Sequence, residues 1–223
     1  PLRLVGSEMC IRDSFEILII DDGSTDNTPK IMCGYQKEFP EKIKYFIQKN
    51  QGPAAARNKG VELSFGNYLF FLDADDEMAP DLLSQLRKKI SDKPSVDVIF
   101  GDHISIDHNG DSTYSTTNIL PKTREECFKA YIFKKLNLSH CAKIVNRRVF
   151  EKISYPVKLR ISEDIPFMAK LLATCECILV GIPMAIVHKH KNSLRHNTDY
   201  AKEFGETVAC LLYTSPSPRD VEE

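Results

Sequence analysis

The chain has 223 residues, of which 42% are hydrophobic and 27% charged, the balance of an ordinary globular domain with a sizeable core. Thirty basic residues against 31 acidic ones leave a net charge of -1, which excludes a broadly basic nucleic-acid-binding surface. The apolar runs fall well short of the roughly 18 residues needed to span a bilayer, and the first residues lack the basic-then-apolar pattern of a secretory leader. The seven cysteines are odd in number and irregularly spaced, so they read as reduced thiols in a cytoplasmic protein, and Cys175-Glu176-Cys177 lacks the usual zinc spacing.

In chain order, Phe15 to Ile20 is a short apolar run that stops at Asp21-Asp22-Gly23-Ser24, as a buried parallel strand does at a turn. A helix follows from about Asn27 to Phe39, with Thr25 or Asp26 available as its cap. Ile43 to Ile47 reads as a strand, Gln51-Gly52-Pro53 as a break, and Ala54 to Leu63 as a helix. Asn67 to Leu72 is a strand that again ends in acids, and Pro80 opens a helix running to about Ile90. Val96 to Phe100 is a further strand. Strands alternating with helices predict an α/β domain, a mostly parallel sheet with helices on both faces, whose ligands bind beyond the carboxyl ends of the strands.

The second half has a different rhythm. Ile104 to Asp107 and Ser112 to Thr116 flank Asn109-Gly110, a two-residue hairpin signal. Helices are predicted over Thr123 to Lys134, Arg147 to Ile153 and Ser162 to Thr174. Strands are predicted over Cys141 to Val145, Cys177 to Val180 and Met184 to His188.

Three acidic clusters carry chemistry. Asp21-Asp22 at a strand end can accept hydrogen bonds from a ribose or a base, and a plain polar turn explains the cluster equally well. In Asp73-Ala74-Asp75-Asp76, residues two apart on an extended strand end face the same side, so Asp73 and Asp75 can address one ligand. Carboxylates crowded in this way repel one another unless a cation lies between them, and hard oxygen ligands suit Mg²⁺ or Mn²⁺, with a diphosphate completing the charge balance. Glu163-Asp164 opens a helix, where acids are favoured by the dipole.

Four segments, Phe15 to Thr28 (FEILIIDDGSTDNT), Asn50 to Gly60 (NQGPAAARNKG), Gly66 to Pro80 (GNYLFFLDADDEMAP) and Ser162 to Leu172 (SEDIPFMAKLL), together resemble glycosyltransferase family 2, whose members have the GT-A fold. The resemblance implies an inverting transfer of a sugar from a nucleoside diphosphate donor to a saccharide or lipid-linked acceptor, in cell-surface polysaccharide or lipopolysaccharide synthesis. It implies that Asp21, Asp22, Arg57 and Asn58 lie at the nucleotide, and Asp73 at the ribose and metal. It puts Asp75 on Mn²⁺ or Mg²⁺, with His188 beside it in preference to His190. Glu163 and Asp164 would be the catalytic acids, with Asp164 the base, and Lys143 an acceptor contact. Residues 15–101 would form the nucleotide-sugar half and residues 102–210 the acceptor half.

Residues 1–14 and 211–223 resemble translated adapter sequence and read as non-native or disordered tails. Family members begin with a further apolar strand and helix. Pro1 to Ser14 lacks that pattern, so the resemblance implies a sheet without its first strand and helix, two open strand edges, and a chain that by itself binds donor poorly or not at all and is inactive, whereas the full-length protein is active. The location implied is cytoplasmic, with peripheral attachment to the inner face of the plasma membrane through other segments also compatible. A nucleotidyltransferase and a non-catalytic carbohydrate- or nucleotide-binding module are the competing readings.

Overall fold

The structure, a computed structural model, describes residues 15–90, 96–117, 119–159 and 162–189. The expected tails, and His190, lie outside those residues. Two parallel strands, β1 (Ile17–Asp21) and β2 (Ile43–Ile47), form a small sheet joined through helix α1 (Thr28–Glu38). Helix α2 (Pro53–Leu63) packs against β1, and Gly60 sits over Ile20 where a Cβ would lie 3.7 Å from its side chain.

The larger sheet contains β3 (Tyr68–Phe70), β4 (Glu77–Met78), β5 (Val98–Ile106), β6 (Ser112–Ser115), β7 (Lys143–Asn146) and β8 (Cys177–His188). Its order is β3-β7-β5-β8-β4, with β6 paired to β5. The expected parallel pairing is found for β1 with β2 and for β5 with β8. The other pairs are antiparallel, so the sheet is mixed rather than mostly parallel. β6 returns from β5 in a hairpin, and β7 and β4 run back against their neighbours. Among the described residues β1 and β3 each pair on one side only. The apolar residues of both strands are only half-buried, as two open edges require.

Helices cover both faces of the larger sheet, as predicted. Along β5, Val98 and Phe100 point into a core with Phe167, Met168, Leu171 and Leu172 of helix α5 (Asp164–Thr174) and Cys127 of α4 (Arg124–Ile132). Ile99, between them, points into a second core with Leu82 and Leu86 of α3 (Leu82–Ile90) and with Met184. Residues 147–151 form a single 3₁₀ turn rather than the longer helix predicted. Among the described residues no helix is long and apolar enough to cross a membrane.

Two pairs of predicted strands fuse. The segments around Val98 and Ile104 are one strand, β5, and the segments around Ile178 and Ile186 are one strand, β8. The two long strands run parallel with register shifts between Phe100 and His103, opposite Gly181 at φ 59°. Gly101 makes this fit possible. A Cβ there would lie 2.6 Å from both the Ile182 carbonyl oxygen and Met184 Cγ. Gly101→Ala is therefore expected to destabilise the fold by about 1–3 kcal/mol, from overpacking against backbone, measured by urea denaturation at equilibrium.

Candidate active site

The acid-bearing segment after β3 is a turn, not an extended strand end. Its closing hydrogen bond runs from the Asp76 N–H to the Asp73 carbonyl at 3.0 Å. The two-residue alternation expected for Asp73 and Asp75 thus does not apply. The turn leaves Asp73, Ala74 and Asp75 exposed and Asp76 half-buried. Burial pushes the Asp76 carboxyl up to about 6, the charges of Asp75 and Asp73 push in the same direction, and the His188 N–H, donating to it at 3.1 Å, opposes them.

His188, at the end of β8, reaches the same turn. Its backbone N–H binds Asp76, and its Nε2 lies 2.9 Å from Glu77 Oε1. The sequence therefore placed His188 beside the acids. Its ring is engaged by Glu77, a residue that the sequence reading passed over.

Arg57 links three segments. From α2 its guanidinium donates to Asp73 Oδ1 at 2.8 Å and to Glu163 Oε1 immediately before α5. The Arg57 side chain is 12% exposed and that of Glu163 9%, whereas Asp73 is half-exposed at 50%. Burial works against the guanidinium charge, but Asp73 and Glu163 more than offset it and hold Arg57 above its ordinary range. Glu163 is accordingly an anchor for Arg57. Asp164, the first residue of α5, is half-buried beside it.

The neighbouring Asn58 is engaged within the protein. Its Nδ2 donates to the Tyr155 carbonyl and its Oδ1 accepts the Tyr155 N–H, both at 2.9 Å. Both ends of the amide clamp α2 to the segment after the 3₁₀ turn. Asp21 and Asp22 are likewise engaged within the protein. Asp21 is buried and accepts from the Tyr45 hydroxyl and from the Ser24 N–H at 2.7 Å. Asp22 accepts from Gln48 Nε2 at 2.7 Å and from the N–H groups of Gln51 and Gly52 at 2.9 and 2.7 Å, which shapes the loop leading into α2.

Lys143 requires the clearest correction. Expected as an acceptor contact, it is 0% exposed. Its Nζ lies 2.9 Å from His140 Nδ1 and donates to the His140 carbonyl at 2.6 Å. The rings of Phe71 and Phe167 flank it, with centroids 5.8 and 5.5 Å from Nζ. The start of β7 is buried on both faces, so a side chain there has no route to solvent. Burial, and then the charge of Arg57, push the Lys143 ammonium down to about 7, while Asp164 and Asp73 pull the other way. Around it lies an aromatic bed absent from the sequence-based expectations. Tyr155 stacks on Phe167 at 3.8 Å, and Phe71 meets Tyr155 edge-on at 5.4 Å. The only signal for this bed in the sequence was that Phe71 and Phe167 each fall within three residues of a candidate acid.

Among the described residues no three histidine, cysteine or acidic side chains form a ready cage for a metal ion. The donor set nonetheless fits Mg²⁺ or Mn²⁺. Such ions commonly use one or two carboxylates and complete their shell with water and substrate phosphates, and the acid turn offers exposed carboxylate oxygens whose mutual repulsion is felt at Asp76.

A family model described as Glycosyl transferase family 2 matches residues 8–154, well over half of the sequence. The chain belongs to glycosyl transferase family 2. Asp164 lies beyond the matched residues. An uncharacterised glycosyltransferase of Methanocaldococcus jannaschii is 29% identical over 167 residues, covering 73% of this chain and 55% of that relative. The chain spans about half the length of that curated relative. Among solved structures, residues 1-349 of S. aureus TarS superpose with a TM-score of 0.68 at 21% identity, over 90% of this chain and 56% of TarS. The same TarS piece is known in complex with UDP-GlcNAc. GalNAc-T7 with UDP, GalNAc and Mn²⁺ superposes with a TM-score of 0.63 at 16% identity, over 90% of this chain and 43% of that one. These likenesses establish the GT-A fold, and the family match places the chain with glycosyltransferases rather than nucleotidyltransferases.

Two outcomes follow from the charges in this site. Arg57→Met leaves Glu163 buried without its cation and is expected to cost about 3–5 kcal/mol. Adding Glu163→Gln to it should recover about 1–3 kcal/mol, a coupling that a double-mutant cycle in denaturant measures. Between pH 7 and the ordinary lysine value of 10.5, the unfolded chain carries a proton on Lys143 that the native chain lacks. The Lys143 contribution to stability therefore rises with pH across that window and is flat below it. Relative to Lys143→Met, wild-type stability should gain on the order of a few kcal/mol from pH 7 to 10.5, read from unfolding midpoints at each pH.

Proposed function

We propose that the chain is the catalytic part of an inverting glycosyltransferase that takes its sugar from a nucleoside diphosphate donor. The observation that carries the proposal is the Arg57 bridge. It joins the exposed acid turn at Asp73 to the start of α5, where Asp164 stands next to the anchoring Glu163. Support for a nucleotide-sugar donor comes from the solved relatives, TarS with UDP-GlcNAc and GalNAc-T7 with UDP, GalNAc and Mn²⁺.

In this reading Asp75 and Asp73 would hold a Mn²⁺ or Mg²⁺ ion, with His188 behind them on Glu77. The ion supplies positive charge against the donor diphosphate. Asp21 and Asp22 keep the nucleotide end in shape through the loops they bind. An acceptor hydroxyl oxygen attacks the anomeric carbon, and the bond from that carbon to the β-phosphate oxygen breaks. The nucleoside diphosphate leaves with the electron pair, and Asp164 takes the hydroxyl proton. One displacement inverts the anomeric centre. A carboxylate is a weak base for an alcohol, so the proton moves late, once the hydroxyl has been acidified by bond formation. The acceptor is a saccharide or lipid-linked hydroxyl in cell-surface polysaccharide or lipopolysaccharide assembly, reached from the cytoplasmic side of the membrane.

Asp164→Asn should lower kcat about 10²- to 10⁴-fold while Mn²⁺-dependent binding of UDP persists, and Asp75→Asn should abolish that metal dependence. Isothermal titration with UDP and Mn²⁺, together with turnover on a panel of UDP-, GDP- and dTDP-sugars, checks both. Full turnover by Asp164→Asn would remove it as the base.

A further inference from the structure

Lys143 stands at a junction of the fold. It opens β7, whose Ile144 pairs with Phe70, the last residue of β3. Its Nζ sits near the faces of two rings. Phe71 comes two residues before Asp73 and thus begins the acid turn. Phe167 comes three residues after Asp164 and lies one helical turn below it on α5. The groups facing the ammonium are His140 and Cys141 from its own loop, Arg57 from α2, Asp73 from the turn and Asp164 from α5. Two are carboxylates of the proposed site, and they approach Lys143 from different elements.

Burying an ammonium beside a guanidinium costs several kcal/mol, and a methionine of similar length would fill the same space without that cost. Packing alone therefore does not account for a lysine here. Two hydrogen bonds to His140 fix its head between the faces of Phe71, which leads into the acid turn, and Phe167 of α5.

We propose that Lys143 is a positioning residue: from beneath the site, its buried charge holds the acid turn and the first turn of α5 in a fixed mutual arrangement, without touching substrate. This rests on the glycosyl-transfer reading for its catalytic consequence, but the positioning itself can be measured apart from activity. Arg57 ties the two segments from one side through Asp73 and Glu163, and Lys143 ties them from the interior through Phe71, Phe167 and the two aspartates. Loss of the Lys143 charge should loosen the two segments together and leave the rest of the fold intact.

The test compares Lys143→Met with Lys143→Gln, the second keeping a hydrogen-bond donor for His140 without the charge, should the first fail to fold. Amide hydrogen exchange is followed by mass spectrometry, together with thermal midpoints at pH 6.5. The expected result is exchange about 10-fold or more faster in residues 71–77 and 162–168 only, with a midpoint equal to or above that of wild type. On whichever sugar nucleotide of the panel wild type turns over, kcat should fall about 10-fold or more with KM changed less than about 2-fold. Unchanged exchange in the two segments, faster exchange throughout with a lower midpoint, or unchanged kcat overturns the proposal. A protein carrying the expected first strand and helix that is inert toward the whole panel sinks the glycosyl-transfer reading instead and leaves exchange to decide the role of Lys143.

Discussion

Arg57 is the interaction on which the rest of the site depends. It emerges from α2 with little exposure and holds one buried carboxylate, Glu163, and one half-exposed carboxylate, Asp73. A buried guanidinium needs both partners, because a charge left unpaired away from water is far more costly than the pair is stabilising. That requirement fixes three separate stretches of chain against one another: the helix after the Gln51-Gly52-Pro53 break, the turn after β3 and the start of α5. It also divides labour between adjacent acids. Glu163 is buried and held by Arg57, and Asp164 is half-buried beside it.

The same division recurs around the site. Asp21 and Asp22 read alike in the sequence, yet Asp21 is buried under the Tyr45 hydroxyl and Asp22 organises a loop through three donors. Arg57 and Asn58 are neighbours on one helix, yet Arg57 faces the acids and Asn58 faces the Tyr155 backbone. Behind them the rings of Tyr155 and Phe167, stacked, and of Phe71, edge-on to Tyr155, form an apolar floor around the buried Lys143. A low-dielectric floor of this kind strengthens the field of any charge within it. A single buried ammonium there can influence carboxylates that a surface lysine would hardly affect.

Much of this was legible before any coordinates. The alternation of apolar runs and helical stretches, and the acids closing β1 and following β3, placed the candidate residues at one end of the sheet. The prediction of helices on both faces came from the same rhythm and holds through the opposed cores at Val98 and Ile99. The misses share a physical origin. The sheet came out mixed because strand direction is set by long-range pairing, which a local period does not encode. Four predicted strands became two because the strands run on through Gly101, which allows a close approach, and through Gly181, where the register shifts.

Residue order and type by themselves determined most of the helices, the strands of the first half up to β3, the membership of glycosyl transferase family 2 and the short list of acids. Those depend on patterns confined to a few consecutive residues. Only the tertiary structure decided which polar groups face inward, because burial and hydrogen-bond partners come from segments about a hundred residues apart: Asn58 with Tyr155, Arg57 with Glu163, His188 with Asp76. For the same reason Lys143 moved from the acceptor surface to the interior. Its neighbours in sequence mark a strand, and only its neighbours in space, two aromatic rings and a histidine, show that this position faces inward.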